Sequence, residues 1–138
     1  MNVIFLGCPG SGKGTQAKFL VSKHNFHHIS TGDLFREEIS KKSPLGQKVK
    51  SYIDAGRLVP DDVVLDVIKN KIRDIKGNIL FDGFPRTIEQ AEGLDRMLEE
   101  ISKDIDLVFF FDVNEEDVVK RITARRNCPG CGKIYNMI

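Results

Sequence analysis

The chain has 138 residues, 41% of them hydrophobic, and its 21 Lys and Arg residues nearly balance 20 Asp and Glu residues. This length and apolar content predict one ordinary domain, and the near-zero net charge gives no sign of a nucleic-acid or acidic-membrane partner. No apolar run approaches the roughly 20 residues that span a bilayer. The N-terminal run Val3–Leu6 also lacks the basic segment of a signal peptide. We therefore expect a cytoplasmic protein.

Short apolar runs predict the strands of a parallel sheet. Three of these runs do not alternate polar with apolar residues, which is typical of strands covered on both faces. They are Val3–Leu6, Asn78–Phe81 and Leu107–Phe111. A further short strand is predicted around His27–Ile29.

Helical patterns lie between these apolar runs, with apolar residues at helical spacing. The helical segments are Lys13–Lys23, Asp62–Ile75, Thr87–Ile101 and Glu115–Arg126. Because strands alternate with helices, the sequence predicts a doubly wound α/β fold. The segment Ser30–Val59 interrupts the alternation with two helical patterns and no convincing strand, so we expect a helical insertion there.

Helix starts are marked at three places. A Ser or Thr followed three residues later by an acidic residue or Gln predicts a capping box, and Ser before Pro predicts a cap with Pro at the first helical position. The signals are Ser30 with Asp33, Thr87 with Gln90, and Ser43 with Pro44.

The segment Gly7–Thr15, with the sequence GCPGSGKGT, follows the first predicted strand and opens the first predicted helix. Its glycines let backbone N–H groups turn toward a phosphate, and the helix N-terminus adds partial positive charge. Lys13 can reach the terminal phosphates of a nucleotide and Thr15 can approach Mg²⁺, although Gly14 stands between them, unlike in the strict Walker pattern. The alternative, a plain Gly- and Pro-rich turn, is disfavoured by Lys13 in this strand–loop–helix context.

A second polar segment, Asp82–Arg86, follows the second of the three apolar runs. A carboxylate at the carboxyl end of a strand, close to a phosphate loop, suits an outer-shell ligand of Mg²⁺. The planar guanidinium of Arg86 suits paired hydrogen bonds to a phosphate. The alternative is a simple strand-to-helix turn with Arg86 on a solvated surface.

Two arginines near the C-terminal end of the last predicted helix, Arg121 and Arg125, are four residues apart and are expected on one helix face. One interpretation is a charge clamp on a transferring phosphoryl group. The alternative is a solvated basic helix end, which the helix dipole favours.

Cys128 and Cys131 form a C-x-x-C that is typical of a zinc knuckle. A structural zinc site has four ligands, and the three histidines, His24, His27 and His28, lie far upstream. We therefore expect half of a zinc site, with weak or no zinc binding by this chain, and we assign the histidines no role.

Taken in chain order, these motifs resemble those of the adenylate kinase family throughout the chain. The matching segments are Gly7–Thr15, Ser30–Asp33 with Arg36, Asp54–Val59, Asp82–Arg86 with Gln90, and Arg121 with Arg125 and Arg126. Five ordered motifs at family-like spacing are more specific than any one of them. The resemblance implies a P-loop three-layer α/β fold with a parallel sheet, a helical monophosphate-binding insertion and an incomplete lid.

The resemblance also implies a function: reversible phosphoryl transfer from MgATP to AMP, giving two ADP, by a protein that is a monomer at full length. The implied catalytic residues are Lys13, Arg86, Arg121 and Arg125. The implied ATP-binding residues are Gly10, Ser11, Gly12, Lys13, Gly14, Thr15, Arg125, Ile134 and Tyr135. The implied AMP-binding residues are Thr31, Arg36, Arg57, Leu58, Val59, Gly83, Phe84, Arg86 and Gln90, of which the glutamine reads the adenine edge.

The implied metal sites and domains follow the same resemblance. Asp82 would hold Mg²⁺ through water, and Cys128 with Cys131 would form half of a zinc site that a complete lid would supply. The implied domains are a P-loop core (1–29 and 60–126), an AMP-binding helical insertion (30–59) and the start of a lid (127–138). We expect the chain to be truncated within that lid.

Three alternatives stay open at this point. The protein could phosphorylate another nucleoside monophosphate, such as UMP or CMP, although Thr31, Gln90 and the zinc-type knuckle favour AMP. It could bind nucleotides without turnover, because the lid and C-terminal parts of the family are missing. A zinc-dependent nucleic-acid module is disfavoured by the half knuckle and the near-zero net charge.

Overall fold

A four-stranded parallel sheet organises the chain, which the computed structural model describes over residues 1–137. The strands lie in the spatial order β2-β3-β1-β4. Their bounds are Asn2–Gly7 for β1, His27–Ser30 for β2, Ile79–Asp82 for β3 and Leu107–Phe111 for β4. The positions of all the predicted strands are confirmed to within one residue at each end.

The strands alternate with helices, as the sequence predicts, and the α/β fold class is confirmed. The helices are α1 (Lys13–His24), α2 (Thr31–Ser40), α3 (Pro44–Asp54), α4 (Asp61–Ile72), α5 (Ile88–Glu100) and α6 (Glu115–Thr123). Two further strands, β5 (Arg125–Asn127) and β6 (Ile134–Asn136), form an antiparallel pair. Ile138, the last residue of the predicted lid segment, lies outside the described residues. Within residues 1–137, no helix has the length and apolar character needed to cross a membrane.

The centre of the sheet is strand β1, which pairs with β3 on one side and β4 on the other. Its residues Val3, Ile4 and Phe5 are 2–6% exposed. Ile4 joins Ile29 of β2 and Phe81 of β3 in the larger core cluster, to which α4 and α5 also contribute. The continuous apolar runs of these strands therefore reflect real burial on both faces.

The strand register brings polar residues to one edge of the sheet. Asp82 at the end of β3 lies opposite Phe5 of β1 and Ser30 of β2. Gly7, at the end of β1, lies opposite Phe111 of β4. Because parallel strands end on the same side, the loops after β1 and β3 meet there, which is where ligands bind in open α/β sheets.

Strand β4 is not buried, contrary to the sequence prediction. Four of its five residues are exposed, and Phe110 is 70% accessible. Within residues 1–137, β4 pairs with β1 alone and forms an edge of the sheet. An apolar run shows that a strand can be covered, but it does not show which neighbours cover it.

Helix α6 ends at Thr123, three residues before the predicted end at Arg126. Arg125 and Arg126 instead lie in β5, where Arg125 is opposite Asn136 of β6. The extended backbone of this pair replaces the last predicted helical turn. Arg121 and Arg125 therefore do not share a helix face, and that prediction is wrong. Helix α4 likewise ends at Ile72 rather than at Ile75.

Two of the predicted helix starts are confirmed by hydrogen bonds. The Ser43 hydroxyl accepts from the Gly46 backbone N–H, with Pro44 at the first position of α3. The Thr87 hydroxyl accepts from the Gln90 backbone N–H at the start of α5, which is one half of the predicted capping box. In place of the other half, the Gln90 side chain accepts from the Arg86 backbone N–H rather than from that of Thr87. The bonds to the Ser43 and Thr87 hydroxyls satisfy backbone N–H donors that a helix leaves free in its first turn.

The capping box predicted at Ser30 is wrong. Ser30 precedes α2 in an extended conformation, but its side chain makes no capping bond within the described part of the chain. The Asp33 carboxylate instead accepts from Arg36, one turn further along α2. Because the Asp33 carboxylate is paired with Arg36, it does not complete a capping box with Ser30.

Gly46 is the tightest point between α2 and α3. A Cβ atom there would overlap the backbone carbonyl oxygen of Glu38, which cannot move without moving α2. We expect Gly46→Ala to destabilise the protein by about 1–3 kcal/mol, because overpacking outweighs the higher helix propensity of Ala. Urea unfolding measures this change in the free energy of unfolding.

The matched control for this prediction is Gly93→Ala in α5. The three atoms nearest to a Cβ there all belong to the side chain of Leu65, which can change its rotamer. We expect a smaller loss of stability than at Gly46. If the two variants lose equal stability, the rigid contact with Glu38 is not the cause.

Candidate functional site

The loop between β1 and α1 has the backbone geometry of an anion-binding turn. Gly10 and Gly12 have φ angles of 82° and 98°, in the left-handed region that only glycine enters readily. Gly12 is the N-cap of α1, and within the described residues the helix has neither a side-chain cap bond nor an acidic residue in its first turn. The backbone N–H groups and positive dipole end of α1 therefore remain available to an anion.

Lys13, the first residue of α1, holds the loop together. Its ammonium group donates to the carbonyl oxygen of Gly7 at 2.6 Å and to that of Cys8 at 3.2 Å. The positive charge is therefore fixed beside the loop rather than extended into solvent. A phosphate bound in the loop would contact both this ammonium group and the backbone N–H groups.

A cleft of about 700 Å³ opens over this loop. It brings together all nine residues that the sequence predicts for ATP, and with them Asp82 and Arg121. Those in its lining are Gly10, Ser11, Gly12, Lys13, Gly14, Thr15, Asp82, Arg121, Arg125, Ile134 and Tyr135. The volume suits a nucleotide-sized ligand.

A second cleft, of about 490 Å³, lies on the other side of Lys13. Ser30, Gly83 and Arg86 contribute to its lining. Pro9, Lys13 and Asp82 line both clefts. An ammonium group and a carboxylate therefore lie at the junction of two adjoining ligand-sized spaces.

Asp82 has a partner that the sequence analysis did not identify. His28 Nε2 lies 2.9 Å from Asp82 Oδ2, and the two side chains are 30% and 15% exposed. The residues are 54 positions apart, and they meet because β2 pairs with β3. The sequence contains no local signal for this contact, since it depends on the order of strands in the sheet.

Arg86 is anchored at the edge of the second cleft. Its Nε donates to the carbonyl oxygen of Gly83 at 2.7 Å, and its backbone N–H donates to Gln90 Oε1 at 2.8 Å. The Arg86 residue remains exposed. The side chain of Phe84 is fully buried and packs near Phe81, so only the backbone of Phe84 can face a ligand.

Gln90 is 7% exposed and its amide is held at both ends. Its Nε2 donates to Asp61 Oδ1 at 2.8 Å, while its Oε1 accepts from the Arg86 backbone. Thr87 Oγ1 donates to the other carboxylate oxygen of Asp61 at 3.0 Å. Sequence reasoning identified Gln90 but not Asp61, because only the packing of α4 against α5 brings these residues together.

The other residues predicted for AMP do not line the second cleft. Within residues 1–137, its lining does not include Thr31, Arg36, Arg57, Leu58, Val59, Phe84 or Gln90. Arg36 is paired with Asp33, and Leu58 is 95% exposed. Of the predicted phosphate ligands, Arg36 lies in α2 and Arg57 follows α3, and neither lines the second cleft with Arg86 within the described residues.

The β5–β6 pair forms one wall of the first cleft. It brings Arg125 and Tyr135 to the cleft, while Arg121 reaches the cleft from α6. Arg126 is directed elsewhere, since its guanidinium donates to the carbonyl oxygens of Thr123 and Arg125 at 2.8 Å. The two predicted arginines thus meet at the cleft even though they lie on different elements.

Cys128 and Cys131 lie in the turn between β5 and β6. Hydrogen bonds from the backbone N–H groups of Cys131 and Gly130 lower the pKa of the Cys128 thiol, which favours the thiolate that a metal requires. Within residues 1–137, no group of three or more His, Cys, Asp or Glu residues could hold a metal ion. The residues described do not fit a tetrahedral zinc site.

The glycine loop, the helix that it opens and the parallel sheet define a P-loop α/β protein. A sequence profile of the family described as adenylate kinase matches residues 5–133. The chain belongs to the adenylate kinase family.

Characterised relatives agree with the family assignment. The chain is 51% identical to the adenylate kinase of Thermosipho africanus and 52% identical to that of Archaeoglobus fulgidus, each over 140 aligned positions and the whole of this chain. It is 46% identical to the adenylate kinase of Ruminiclostridium cellulolyticum. The chain spans 65%, 64% and 65% of the lengths of these three relatives.

Proposed function

We propose that the protein transfers a phosphoryl group reversibly from MgATP to AMP and forms two molecules of ADP. The observation that carries the proposal is the pair of adjoining clefts with Lys13 and Asp82 in both linings. Two phosphorylated ligands in these clefts would meet at a cation and a carboxylate. Such a junction suits transfer between two bound nucleotides better than hydrolysis of one.

The first cleft is the proposed ATP site. The β- and γ-phosphates would lie against the backbone N–H groups of the loop 10–15, with the Lys13 ammonium group beside them. Arg121 and Arg125 would neutralise charge that develops during transfer. Ile134 and Tyr135 offer apolar and aromatic surface to the base.

The second cleft is the proposed phosphate end of the AMP site. Arg86 lines it and Gly83 shapes it, with a φ of 70°. Gln90 would read the adenine edge, close to the backbone of Arg86. The remaining AMP ligands, on α2 and in the segment 57–59, would approach by movement of the region 30–59 against the core. We propose this region as a separate domain. The other proposed divisions are the P-loop core, 1–29 and 60–126, and a lid segment from residue 127.

Oxygen atoms that line the first cleft suit Mg²⁺ bound with ATP. Asp82 and Thr15 both line the first cleft and offer the hard ligands that Mg²⁺ prefers. The ion would neutralise phosphate charge. His28 would keep the Asp82 carboxylate directed toward the junction through their 2.9 Å contact. We assign no step to zinc, because a tetrahedral site needs two ligands beyond Cys128 and Cys131.

The chemistry proposed is a single in-line displacement. A phosphate oxygen of AMP attacks the γ-phosphorus of ATP, and the bond from that phosphorus to the β–γ bridging oxygen breaks as the new bond forms. The protein positions both nucleotides and surrounds the transferring group with Lys13, Arg86, Arg121 and Arg125. No covalent intermediate with the protein is required. We further propose a cytoplasmic monomer without a nucleic-acid partner.

The test is a coupled assay of ADP formation by the protein at its natural length. AMP, UMP and CMP are compared as acceptors with MgATP. We expect kcat/KM for AMP to exceed that for UMP by at least about tenfold, because the Gln90 amide matches the amino donor and ring-nitrogen acceptor of adenine, which uracil lacks. Cytosine carries the same donor and acceptor pair, so CMP tests whether the site also requires the larger purine ring. Equal rates, or a preference for a pyrimidine, would assign the protein another acceptor. ATP binding without ADP formation would refute phosphoryl transfer.

A further inference from the structure

A carboxylate outside both clefts controls the direction of the Gln90 amide. Asp61 is the first residue of α4, and Gln90 lies in the first turn of α5. Asp61 Oδ1 accepts from Gln90 Nε2 at 2.8 Å, and Asp61 Oδ2 accepts from Thr87 Oγ1 at 3.0 Å. Both oxygens of the carboxylate are therefore directed at the start of α5.

The partners of Gln90 permit only one orientation of its amide. An ionised carboxylate accepts hydrogen bonds and cannot donate them, so the NH₂ end of the amide must face Asp61. The Arg86 backbone N–H donates at 2.8 Å, so the oxygen end must face Arg86. A 180° rotation of the amide would place the Gln90 oxygen against the Asp61 carboxylate and the Gln90 NH₂ group against the Arg86 backbone N–H.

The fixed amide keeps one donor and one acceptor for a ligand. Its NH₂ group has a second N–H, and its oxygen has a second lone pair. Adenine offers an amino donor beside a ring-nitrogen acceptor, which matches this pair, whereas a 6-oxopurine offers an oxygen acceptor in place of the amino group. With the amide held, a 6-oxopurine would bring its O6 against the oxygen of Gln90.

We propose that Asp61 is a positioning residue that sets base preference: by holding the Gln90 amide, it selects 6-aminopurine over 6-oxopurine monophosphates. This inference rests on the proposed AMP site and on Gln90 as its base-reading residue. Asp61 does not touch the nucleotide and acts only through Gln90. The bond between Asp61 and Thr87 keeps the carboxylate itself from rotating.

The test measures dissociation constants for AMP and for IMP, which differ at position 6 of the purine, by calorimetry on the protein at its natural length. Asp61→Asn has nearly the same shape, but its amide can face Gln90 with either oxygen or NH₂. Asp61 then no longer opposes rotation of the Gln90 amide toward O6, and only the Arg86 backbone N–H still favours the original orientation. We expect the preference for AMP over IMP to fall by about tenfold or more, which corresponds to ~1.4 kcal/mol.

The matched control is Asp62→Asn. Asp62 is the next residue of α4, it is exposed, and its replacement removes the same charge from the same helix turn. The preference should stay within about twofold of the wild type, since exposed charges have small effects. Asp61→Ser, which keeps a residue suited to a helix start, provides a second variant if Asp61→Asn is poorly folded. Its preference for AMP should also fall.

A double-mutant cycle distinguishes positioning from a structural role. If Asp61 acts through Gln90, then Asp61→Asn in a Gln90→Ala background should change the AMP to IMP preference no further. A lower melting temperature with an unchanged preference would overturn the inference, as would an equal loss of preference in Asp62→Asn. Absence of ADP formation would refute the proposed function alone, because these binding measurements do not depend on turnover.

Discussion

Replacement of Lys13 by Met is expected to lower kcat/KM for ADP formation by at least about a hundredfold, in line with the loss of one preorganised donor at a site of developing charge. Lys13 lines both clefts, and its ammonium group is fixed by the carbonyl oxygens of Gly7 and Cys8. A fixed charge stabilises a transition state without reorganising during the reaction. Met keeps the length of the side chain and removes its charge. Steady-state kinetics with MgATP and AMP measure the effect.

Lys23→Met is the matched control for this prediction. Lys23 lies in the last turn of the same helix α1 and is exposed, at the end opposite the loop. Its replacement removes the same charge and should leave kcat/KM within about twofold, since an exposed charge at a helix end contributes little. The proposed role of Lys13 would be wrong if both variants kept near wild-type kinetics. Circular dichroism should confirm that the variants are folded.

Much of the fold could be predicted from local sequence because its signals are local. The run Val3–Leu6 is apolar on both faces since β1 is central in the sheet, and Gly10 and Gly12 are required by backbone angles within a few residues of Lys13. Strand, loop and helix follow each other without a break there. The glycine loop between β1 and α1 was therefore predicted without any knowledge of long-range contacts.

The features that the sequence did not reveal depend on long-range packing. The run Leu107–Phe111 was assigned to a strand correctly, but its exposure follows from its place at the edge of the sheet that residues 1–137 form. The sequence predicts Arg125 in a helix because its strand partner, Asn136, lies on the far side of the Cys128–Cys131 turn and gives no local signal. Arg121 and Arg125 do line the same cleft, as expected. They do so from a helix and a strand, however, and not from one helix face as the helical spacing predicted.

The contacts that orient side chains in the site are also long-range. His28 meets Asp82 through the pairing of β2 with β3, and Asp61 meets Gln90 through the packing of α4 against α5. Each pair combines ordinary polar residues with no distinctive spacing. A motif identifies the residues that face a ligand more readily than the residues that hold them in place.

Replacement of Arg86 by Ala is expected to weaken AMP binding by about ten- to a hundredfold and to change ATP binding by less than about threefold, because a charge-assisted hydrogen bond contributes ~1.5–3 kcal/mol. The selectivity of this effect follows from the geometry. Arg86 lines the second cleft and is absent from the lining of the first, within residues 1–137. Its Nε donates to the carbonyl oxygen of Gly83, which holds the planar guanidinium at the edge of the proposed phosphate site. Calorimetric titration with each nucleotide measures both dissociation constants.

Two further variants separate the phosphate contact from other consequences of the Arg86 replacement. Arg96→Ala removes an exposed arginine from α5, away from both clefts, and should leave the affinities for AMP and ATP unchanged within about twofold. Arg86→Lys keeps the charge but lacks the planar fork, so it should restore only part of the AMP affinity. An equal loss of ATP and AMP affinity in Arg86→Ala would show that Arg86 supports the whole junction around Asp82. Full recovery in Arg86→Lys would mean that charge alone, without paired hydrogen bonds, holds the AMP phosphate.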